Sequence, residues 1–292
     1  VPSERLGEVQ ECYPMNLYLC HDCGLVQLID EIYRADPLIQ ETELTSVSLG
    51  MVEHFRRYAD QTIRLVNPPK GALVVDIGSN DGTFLKCYQG HGLRVLGVEP
   101  AESAVKFATE TGIATIPAFF SAELADKIKN QHGPAAIVTA NRVIANINNL
   151  ADMIQGVRVL LAPDGIFVFE TGCLVDLLDN LLFDTVYHEH LDYAAVKPLE
   201  MFFRRHSMEL INIEHVPVKG GTLRGTVQHA GGGRKVSSSV AEMMAHEASL
   251  GINSTEPFKD FTAKVDRAKT ALLDLVHQLE RGGKSIAGYG AS

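Results

Sequence analysis

The sequence predicts an α/β protein built on a parallel sheet with helices on both faces. Three observations carry that prediction. The β-branched run Leu73-Val74-Val75-Asp76-Ile77 is followed by the glycine-bracketed turn Gly78-Ser79-Asn80-Asp81-Gly82 and a helix-capable segment from Thr83. A second apolar stretch, Leu93 to Val98, ends in the acid Glu99, about 20 residues after the turn, where such folds hold ribose hydroxyls. Apolar runs and amphipathic segments then alternate as far as Phe169. Strands alternating with helices give a parallel sheet covered on both sides, with ligands beyond the carboxyl ends of the strands.

Length and composition bound the rest. A chain of 292 residues holds about two domains and a large core. Lys plus Arg minus Asp plus Glu is 26 − 36 = −10, which argues against a duplex nucleic-acid partner, since that needs a basic face. No apolar run is long enough to span a bilayer, so no membrane partner is expected. The opening Val1-Pro2-Ser3-Glu4-Arg5 is not a signal peptide. The cysteines are Cys12, Cys20, Cys23, Cys87 and Cys173; a sparse, odd set reads as a reduced, cytoplasmic chain.

In chain order, Cys20-His21-Asp22-Cys23-Gly24 comes first. C-x-x-C-G is the knuckle of a zinc ribbon, and one knuckle supplies two of the four ligands a tetrahedral zinc needs. Two free thiols or a redox pair are the alternatives. Zinc would need further ligands upstream of Val1. Met51, Phe55, Tyr58, Ala59, Thr62 and Val66 recur at helical spacing over Ser48 to Val66, and Asn67-Pro68-Pro69 ends that helix. After the Asp76 and Glu99 strands, the pattern predicts a helix from Ala101 to Glu110 and a strand from Ile113 to Ile116. A helix from the N-cap Ser121 to Asn130 comes next, then a strand from Ala135 to Thr139. A helix from Leu150 to Leu161 leads to the turn Pro163-Asp164-Gly165 and a fifth strand, Ile166 to Phe169, ending at Glu170. Glu209 to Val216 and Thr222 to His229, around Lys219-Gly220-Gly221, read as an antiparallel hairpin. Phe258 to Arg281 is a long helix with Phe261, Val265, Ala268, Leu272, Leu275 and Leu279 on one stripe, suited to a linker or a dimer surface; the oligomeric state stays open. Lys284 to Ser292 starts another strand-turn, as in a chain that continues. There is no internal repeat, and no low-complexity segment beyond Gly231-Gly232-Gly233.

Two groups of residues carry chemistry. Gly78 and Gly82 let the backbone turn sharply and approach a ligand. The loop is G-x-x-x-G, not the G-x-G-x-x-G of dinucleotide folds, which disfavours a nicotinamide-linked oxidoreductase. Asp76, the glycine loop and Glu99 together resemble motif I and the following acidic residue of S-adenosylmethionine (SAM) methyltransferases. The second group is Phe183-Asp184-Thr185-Val186-Tyr187-His188-Glu189-His190-Leu191-Asp192-Tyr193. It follows strand five directly, so it can fold over the same rim. His and Glu offer a base near neutral pH, and Tyr can donate to a developing oxyanion. His188 and His190 are two apart, which is not the spacing of a zincin.

F-D-T-V-Y-H-E-H, D-I-G-S-N-D-G, C-x-x-C-G-L-V-Q-L, G-G-T-L-R and G-Y-G-A-S occur here in one order, from about Tyr13 to Ser292. That order resembles the deoxysugar C-methyltransferases of antibiotic and polysaccharide pathways. The resemblance implies a zinc-binding N-terminal piece (residues 1–47), a Rossmann-like class I SAM methyltransferase domain (48–235), and a linker helix leading into a C-terminal Rossmann-like domain (236–292). It implies methylation of the carbon beside the ketone of a nucleotide-linked 4-keto-deoxysugar, through an enolate that takes the SAM methyl. By match to the motif, His190 is the base, with Glu189 and Tyr187 assisting; Glu189 is the second candidate, and Tyr187 and His188 are candidates for holding the enolate oxygen. Asp76, Gly78, Asn80, Gly82, Glu99, Pro100, Phe119 and Asn141 would bind SAM, and Cys20 and Cys23 zinc. The chain departs from the family pattern at several substrate-side positions. Glu41 and Glu43 stand where a Y-x-Y pair is usual, Asn146 and Lys219 where His is common, and Thr171-Gly172-Cys173 where Pro and an aromatic are usual. Carboxylates near a diphosphate would repel it, so the acceptor can be another carbonyl compound. The alternatives are a SAM-dependent methyltransferase acting on carbon or oxygen of a different natural product, an N-methyltransferase, and a non-catalytic zinc-ribbon interaction protein.

Overall fold

The computed structural model describes residues 7, 13–29, 44–48 and 50–288. Glu41, Glu43 and Cys12, singled out above, lie outside the described residues.

The N-terminal strands β1 (Leu17–Leu19) and β2 (Val26–Leu28) form a hairpin across the C-x-x-C turn. Helix α1 (Met51–Val66) follows. Gly50 precedes it in the left-handed region, at φ 78°, which glycine adopts without strain. The alternating part then runs β3 (Leu73–Ile77), α2 (Thr83–Gln89), β4 (Arg94–Val98), α3 (Glu102–Glu110), β5 (Thr115–Ile116), α4 (Ala122–His132), β6 (Ala135–Asn141), α5 (Leu150–Leu160) and β7 (Leu161–Gly172). The Ser121 hydroxyl accepts from Leu124 N–H at 3.1 Å, so the expected N-cap is formed. After β7 come α6 (Leu174–Asp179), β8 (Asp192–Tyr193), α7 (Val196–Arg205), β9 (Met208–Val216), β10 (Thr222–His229), α8 (Ser238–Ser249) and α9 (Glu256–Arg281).

The main sheet has the order β5-β4-β3-β6-β7-β10-β9. β5, β4, β3, β6 and β7 are parallel to their neighbours, and β10 runs antiparallel to both β7 and β9. Five parallel strands closed by an antiparallel pair, with the last strand inserted beside the fifth, make a Rossmann-like class I SAM-methyltransferase fold. The side-chain period of two puts successive residues on opposite faces. Val74, Ile137, Ile166 and Val168 pack with Tyr58, Phe84 and Tyr88 from α1 and α2. Val75, Val138, Phe167 and Phe169 pack with residues of α4, α5 and α7.

The fifth strand is longer than its pattern suggests. Thr222–Val227 of β10 pairs with Gly172–Phe167 of β7 and extends β7 well past Phe169. At its start the register with β6 jumps from Ala135↔Leu161 to Ile137↔Ile166, so the expected Pro163-Asp164-Gly165 turn becomes a bulge inside the strand.

Two further features depart from the sequence reading. The C-x-x-C hairpin does not stand as a ribbon of its own: β2 pairs with β8 in a three-stranded sheet β1-β2-β8, and Val26 and Leu28 join the same apolar cluster as Phe167. Only the first turns of α9 pack, through Phe261 and Val265, while Leu272, Leu275 and Leu279 are exposed. Residues Lys284–Gly288 carry no regular structure where a strand was expected, and no distinct C-terminal domain is formed among the described residues. Glu247 of α8 is buried and accepts from Val196 N–H at 2.7 Å, so it caps α7 from across the interface.

Candidate functional site

The cofactor half of the site is built on the ends of β3, β4 and β6. Gly78 (φ 69°) and Gly82 (φ 76°) are both left-handed. A Cβ on Gly78 would lie 2.3 Å from Val143 Cγ2, and one on Gly82 2.9 Å from Ile113, so glycine is required at both turns by packing as well as by φ. Glu99 is buried and locks the loop: its carboxylate accepts from Asn80 N–H and Ala101 N–H, both at 2.9 Å. Burial raises its carboxyl, and the two backbone donors offset part of that. Each carboxylate oxygen keeps acceptor capacity beyond its one donor. Asn80 sits at φ 48°, and its side-chain oxygen accepts from Thr45 N–H at 3.0 Å. Asp81 is fully buried and accepts from Ser46 N–H at 2.7 Å and Thr83 N–H at 3.0 Å; burial alone would raise it, but these donors hold it below the usual carboxylate range. The short 3-10 turn Thr45–Val47 is thereby tied across the glycine loop.

Asp76 is buried at the end of β3, where desolvation pushes its carboxyl up to about 7 despite a 2.6 Å hydrogen bond from Thr139 Oγ1. The Asn141 amide lies near enough to favour the charged form slightly. Among the described residues it makes no hydrogen bond of good geometry, and both its polar side-chain atoms are buried without a partner there. A desolvated acid and a buried amide with hydrogen-bonding capacity to spare, together at the strand ends, suit a polar, cationic ligand. The residues fit SAM. Pro100 is half-buried beside Glu99, and Phe119, 68% exposed, follows β5.

The second half of the site is a small cavity of about 50 Å³, room for only a few waters. It opens to solvent and is lined by Arg142 and Asn146 after β6, Thr171, Gly172 and Cys173 at the end of β7, and Thr185, His190, Asp192, Tyr193 and Lys219. Tyr187 to His190 form a turn, closed by His190 N–H donating to Tyr187 O at 2.9 Å, so adjacent residues there need not alternate faces as on a strand. His190 Nδ1 lies 2.8 Å from the Thr185 carbonyl and Nε2 3.3 Å from the Tyr187 hydroxyl. A carbonyl can only accept, so Nδ1 carries the proton and Nε2 the lone pair.

The other members of the Y-H-E-H run do not line the cavity. His188 Nε2 lies 2.8 Å from the Pro14 carbonyl and its ring meets Tyr13 edge-on, so His188 braces the N-terminal segment and does not line the cavity. Tyr187 is exposed beside the His190 ring, 4.4 Å between centroids, and neither it nor Glu189 lines the cavity.

Several cavity residues were not assigned roles from sequence. Tyr193 is buried and its hydroxyl makes no hydrogen bond of good geometry among the described residues; burial raises it, and the nearby Tyr187 backbone offsets a little of that. Burial pushes Asp192 up to about 6 and the Cys173 thiol up to about 12. Arg142 (φ 57°) and Lys219 (φ 50°) are both in the left-handed region and form no ion pair among the described residues. Asp192 and Tyr193 stood within the titratable cluster; their distinguishing feature, pairing with β2, is non-local.

Cys20 and Cys23 are half-buried on the β1–β2 turn with free thiols. Backbone donors from Cys23 and Asp22 lower the Cys20 thiol, and burial raises that of Cys23. No third ligating side chain joins them among the described residues. Below the rim, Glu170 is buried in a network: it accepts from Arg224 Nε at 2.8 Å and meets His54 Nε2 at 2.9 Å, with Arg224 stacked 4.0 Å over the Tyr58 ring.

With this geometry in view, comparison with known proteins is informative. Residues 51–223 match the family described as a methyltransferase domain. The chain belongs to the SAM-dependent methyltransferases. Residues 217–292 match a second family, the C-methyltransferase C-terminal domain. The C-methyltransferase NovU of Streptomyces niveus is 33% identical over 280 residues, 96% of this chain and 66% of NovU, so the chain spans about two thirds of that relative's length. Among solved structures, YcgJ of Bacillus subtilis is 11% identical with a TM-score of 0.47, covering 61% of this chain and 99% of that one. Magnesium protoporphyrin IX methyltransferase of Synechocystis, solved with bound SAH, is 11% identical with a TM-score of 0.46, covering 65% of this chain and 90% of that one. Both likenesses are weak, and the fold assignment rests on strand order. No helix among the described residues is long and apolar enough to cross a membrane.

Proposed function

We propose that this methyltransferase acts on carbon: it methylates the position next to a carbonyl, on a nucleotide-linked 4-keto-deoxysugar or a related natural-product ketone, with His190 as the base. The observation that carries this reading is the His190 tautomer. The Thr185 carbonyl holds the Nδ1 proton, which leaves Nε2, facing the Tyr187 hydroxyl at 3.3 Å, as the ring nitrogen that takes a proton. A carbon acid needs such a base, whereas an oxygen or nitrogen acceptor is already nucleophilic. When bound, SAM supplies an electrophilic methyl group, held by Asp76, Gly78, Asn80, Gly82, Glu99, Pro100, Phe119 and Asn141. His190 Nε2 takes the α-proton. The orphaned Tyr193 hydroxyl donates to the enolate oxygen in place of Tyr187 or His188, and Arg142 and Lys219 add positive charge where the negative charge develops. Cys20 and Cys23 hold a structural zinc whose other ligands lie outside the described residues. Residues 1–47, 48–235 and 236–292 are the three functional parts in this reading.

A second reading of the acceptor has a specific observation in its favour. Asn146, Thr171-Gly172-Cys173 and Lys219, where the chain departs from the deoxysugar C-methyltransferase pattern, all line the cavity. The acceptor ketone then differs from the family's usual sugar while the chemistry is kept.

His190→Gln keeps the size and removes the base. It should leave SAM binding intact and lower turnover about 10²–10⁴-fold, the usual share of a general base. Solvent-deuterium exchange at the acceptor carbon, measured without SAM, should fall in parallel. Exchange that persists in His190→Gln but vanishes in Glu189→Gln makes Glu189 the base; undiminished turnover in both removes this loop from the mechanism. For the zinc, metal analysis of the full-length protein should give close to full occupancy, and less than about half an equivalent counts against it.

A further inference from the structure

A second group of metal-ligating side chains lies apart from the C-x-x-C turn. Cys173 is the residue between β7 and α6, Asp176 is in the first turn of α6, and His215 is on β9. Their Sγ, carboxylate oxygen and ring nitrogen all lie within 4.8 Å of one another, and His215 Nε2 is 2.7 Å from Asp176 Oδ2. An Asp–His ion pair would account for two of them. The buried Cys173 thiol meets the same carboxylate, which the backbone closely approaches. Gly221, at φ 122°, faces it so closely that a Cβ there would lie 2.2 Å from Asp176 Cγ. Three secondary elements and a glycine turn thus converge on one point.

We propose that Cys173, Asp176 and His215 bind a divalent transition metal of the zinc class. A thiolate, an imidazole and a carboxylate form a borderline-soft donor set, which suits zinc, cobalt or iron(II) and not magnesium or calcium. Tetrahedral bonds of about 2.0–2.3 Å place ligand atoms roughly 3.3–3.7 Å apart, so the three side chains reach that geometry by moving a fraction of an ångström to about one. Three protein ligands leave the fourth position open, the pattern of a reactive rather than a structural ion. Cys173 and Gly221 also line the candidate acceptor cavity, so an open position turned that way would take a water or a carbonyl or hydroxyl oxygen. That last step rests on the cavity being the acceptor site; metal binding by the three residues does not.

The test uses the metal alone. In the chain carrying Cys20→Ser and Cys23→Ser, stripped of metal, cobalt(II) titration should produce a thiolate-to-cobalt charge-transfer absorption in the near ultraviolet. Cys173→Ser in the same background should abolish it. His215→Ala, at a half-exposed and so fold-tolerant position, should weaken cobalt binding by more than the roughly 10–100-fold that losing an outer-shell partner costs. Calorimetric SAM binding reports that each variant is folded. If the Cys20/Cys23 background does not fold, the unsubstituted chain is titrated, and the band must lose one component on Cys173→Ser. No thiolate band, or a band unchanged by Cys173→Ser, overturns the proposal and leaves a hydrogen-bonded Cys–Asp–His group. Loss of turnover in His190→Gln bears on the proposed reaction and leaves this result untouched.

Discussion

Asp76→Asn tests whether the cofactor site is held against the interest of the fold. The carboxyl is buried and pushed from its usual 3.8 up to about 7. At about 1.4 kcal/mol per unit, a shift of about three units corresponds to roughly 4 kcal/mol between the charged and neutral forms, an upper figure because the site can relax. Between about pH 4 and pH 7 the native chain holds this proton and the unfolded chain does not, so the stability linked to Asp76 is fully present below about pH 4 and is lost as pH rises through 7. Asparagine keeps the shape, still accepts from Thr139 Oγ1, and carries no charge. Urea unfolding without SAM should therefore find Asp76→Asn more stable than the parent by about 2–4 kcal/mol near pH 8 and nearly equal near pH 4. SAM, which carries positive charge, should bind the variant more weakly. Parallel stability–pH profiles for the two chains would sink the argument, because they would mean that the buried carboxylate costs the fold nothing.

Two more predictions concern buried charge. Glu99→Ala strands the Asn80 and Ala101 N–H groups and should weaken SAM binding by about 1–3 kcal/mol, read by calorimetry; unchanged affinity would remove Glu99 from the cofactor site. Arg224→Met leaves Glu170 buried with only His54 beside it and should cost about 3–5 kcal/mol of stability, with the loss seen in denaturant midpoint at constant slope.

What could be read from the sequence was local. Leu73 to Phe169 announces its strands and helices through periodicity, and Ser121, Gly78 and Gly82 mark a cap and a turn by residue type. What could not be read depends on partners distant in the chain. The last residues of β7, Thr171 and Gly172, are paired by β10, β8 is two residues whose strand character comes from pairing with β2, and the Thr45–Val47 turn is fixed by Asn80 and Asp81 side chains. In the candidate site, the Y-H-E-H run lies on the loop that brings His190 to the cavity. The direction of each side chain depended on a turn whose carbonyls claim Nδ1 of His190 and whose neighbour, the Pro14 carbonyl, claims His188. Tyr193 stood out only once its hydroxyl was seen to be buried and unpaired.

The β2–β8 pairing gives the N-terminal hairpin leverage over chemistry it does not touch. Val26 sits opposite Tyr193 and Gln27 opposite Asp192, just beyond His190 in the chain, while Leu28 N–H donates to the Leu191 carbonyl. A slip of one residue in that register would turn Tyr193 to the other face of the sheet, yet the glycine loop and Glu99, held by their own bonds, would not move. Were the cavity to hold the acceptor, as proposed, acceptor choice and cofactor binding would be separately adjustable: the hairpin would be a tuning peg for one, and the parallel sheet the fixed frame of the other.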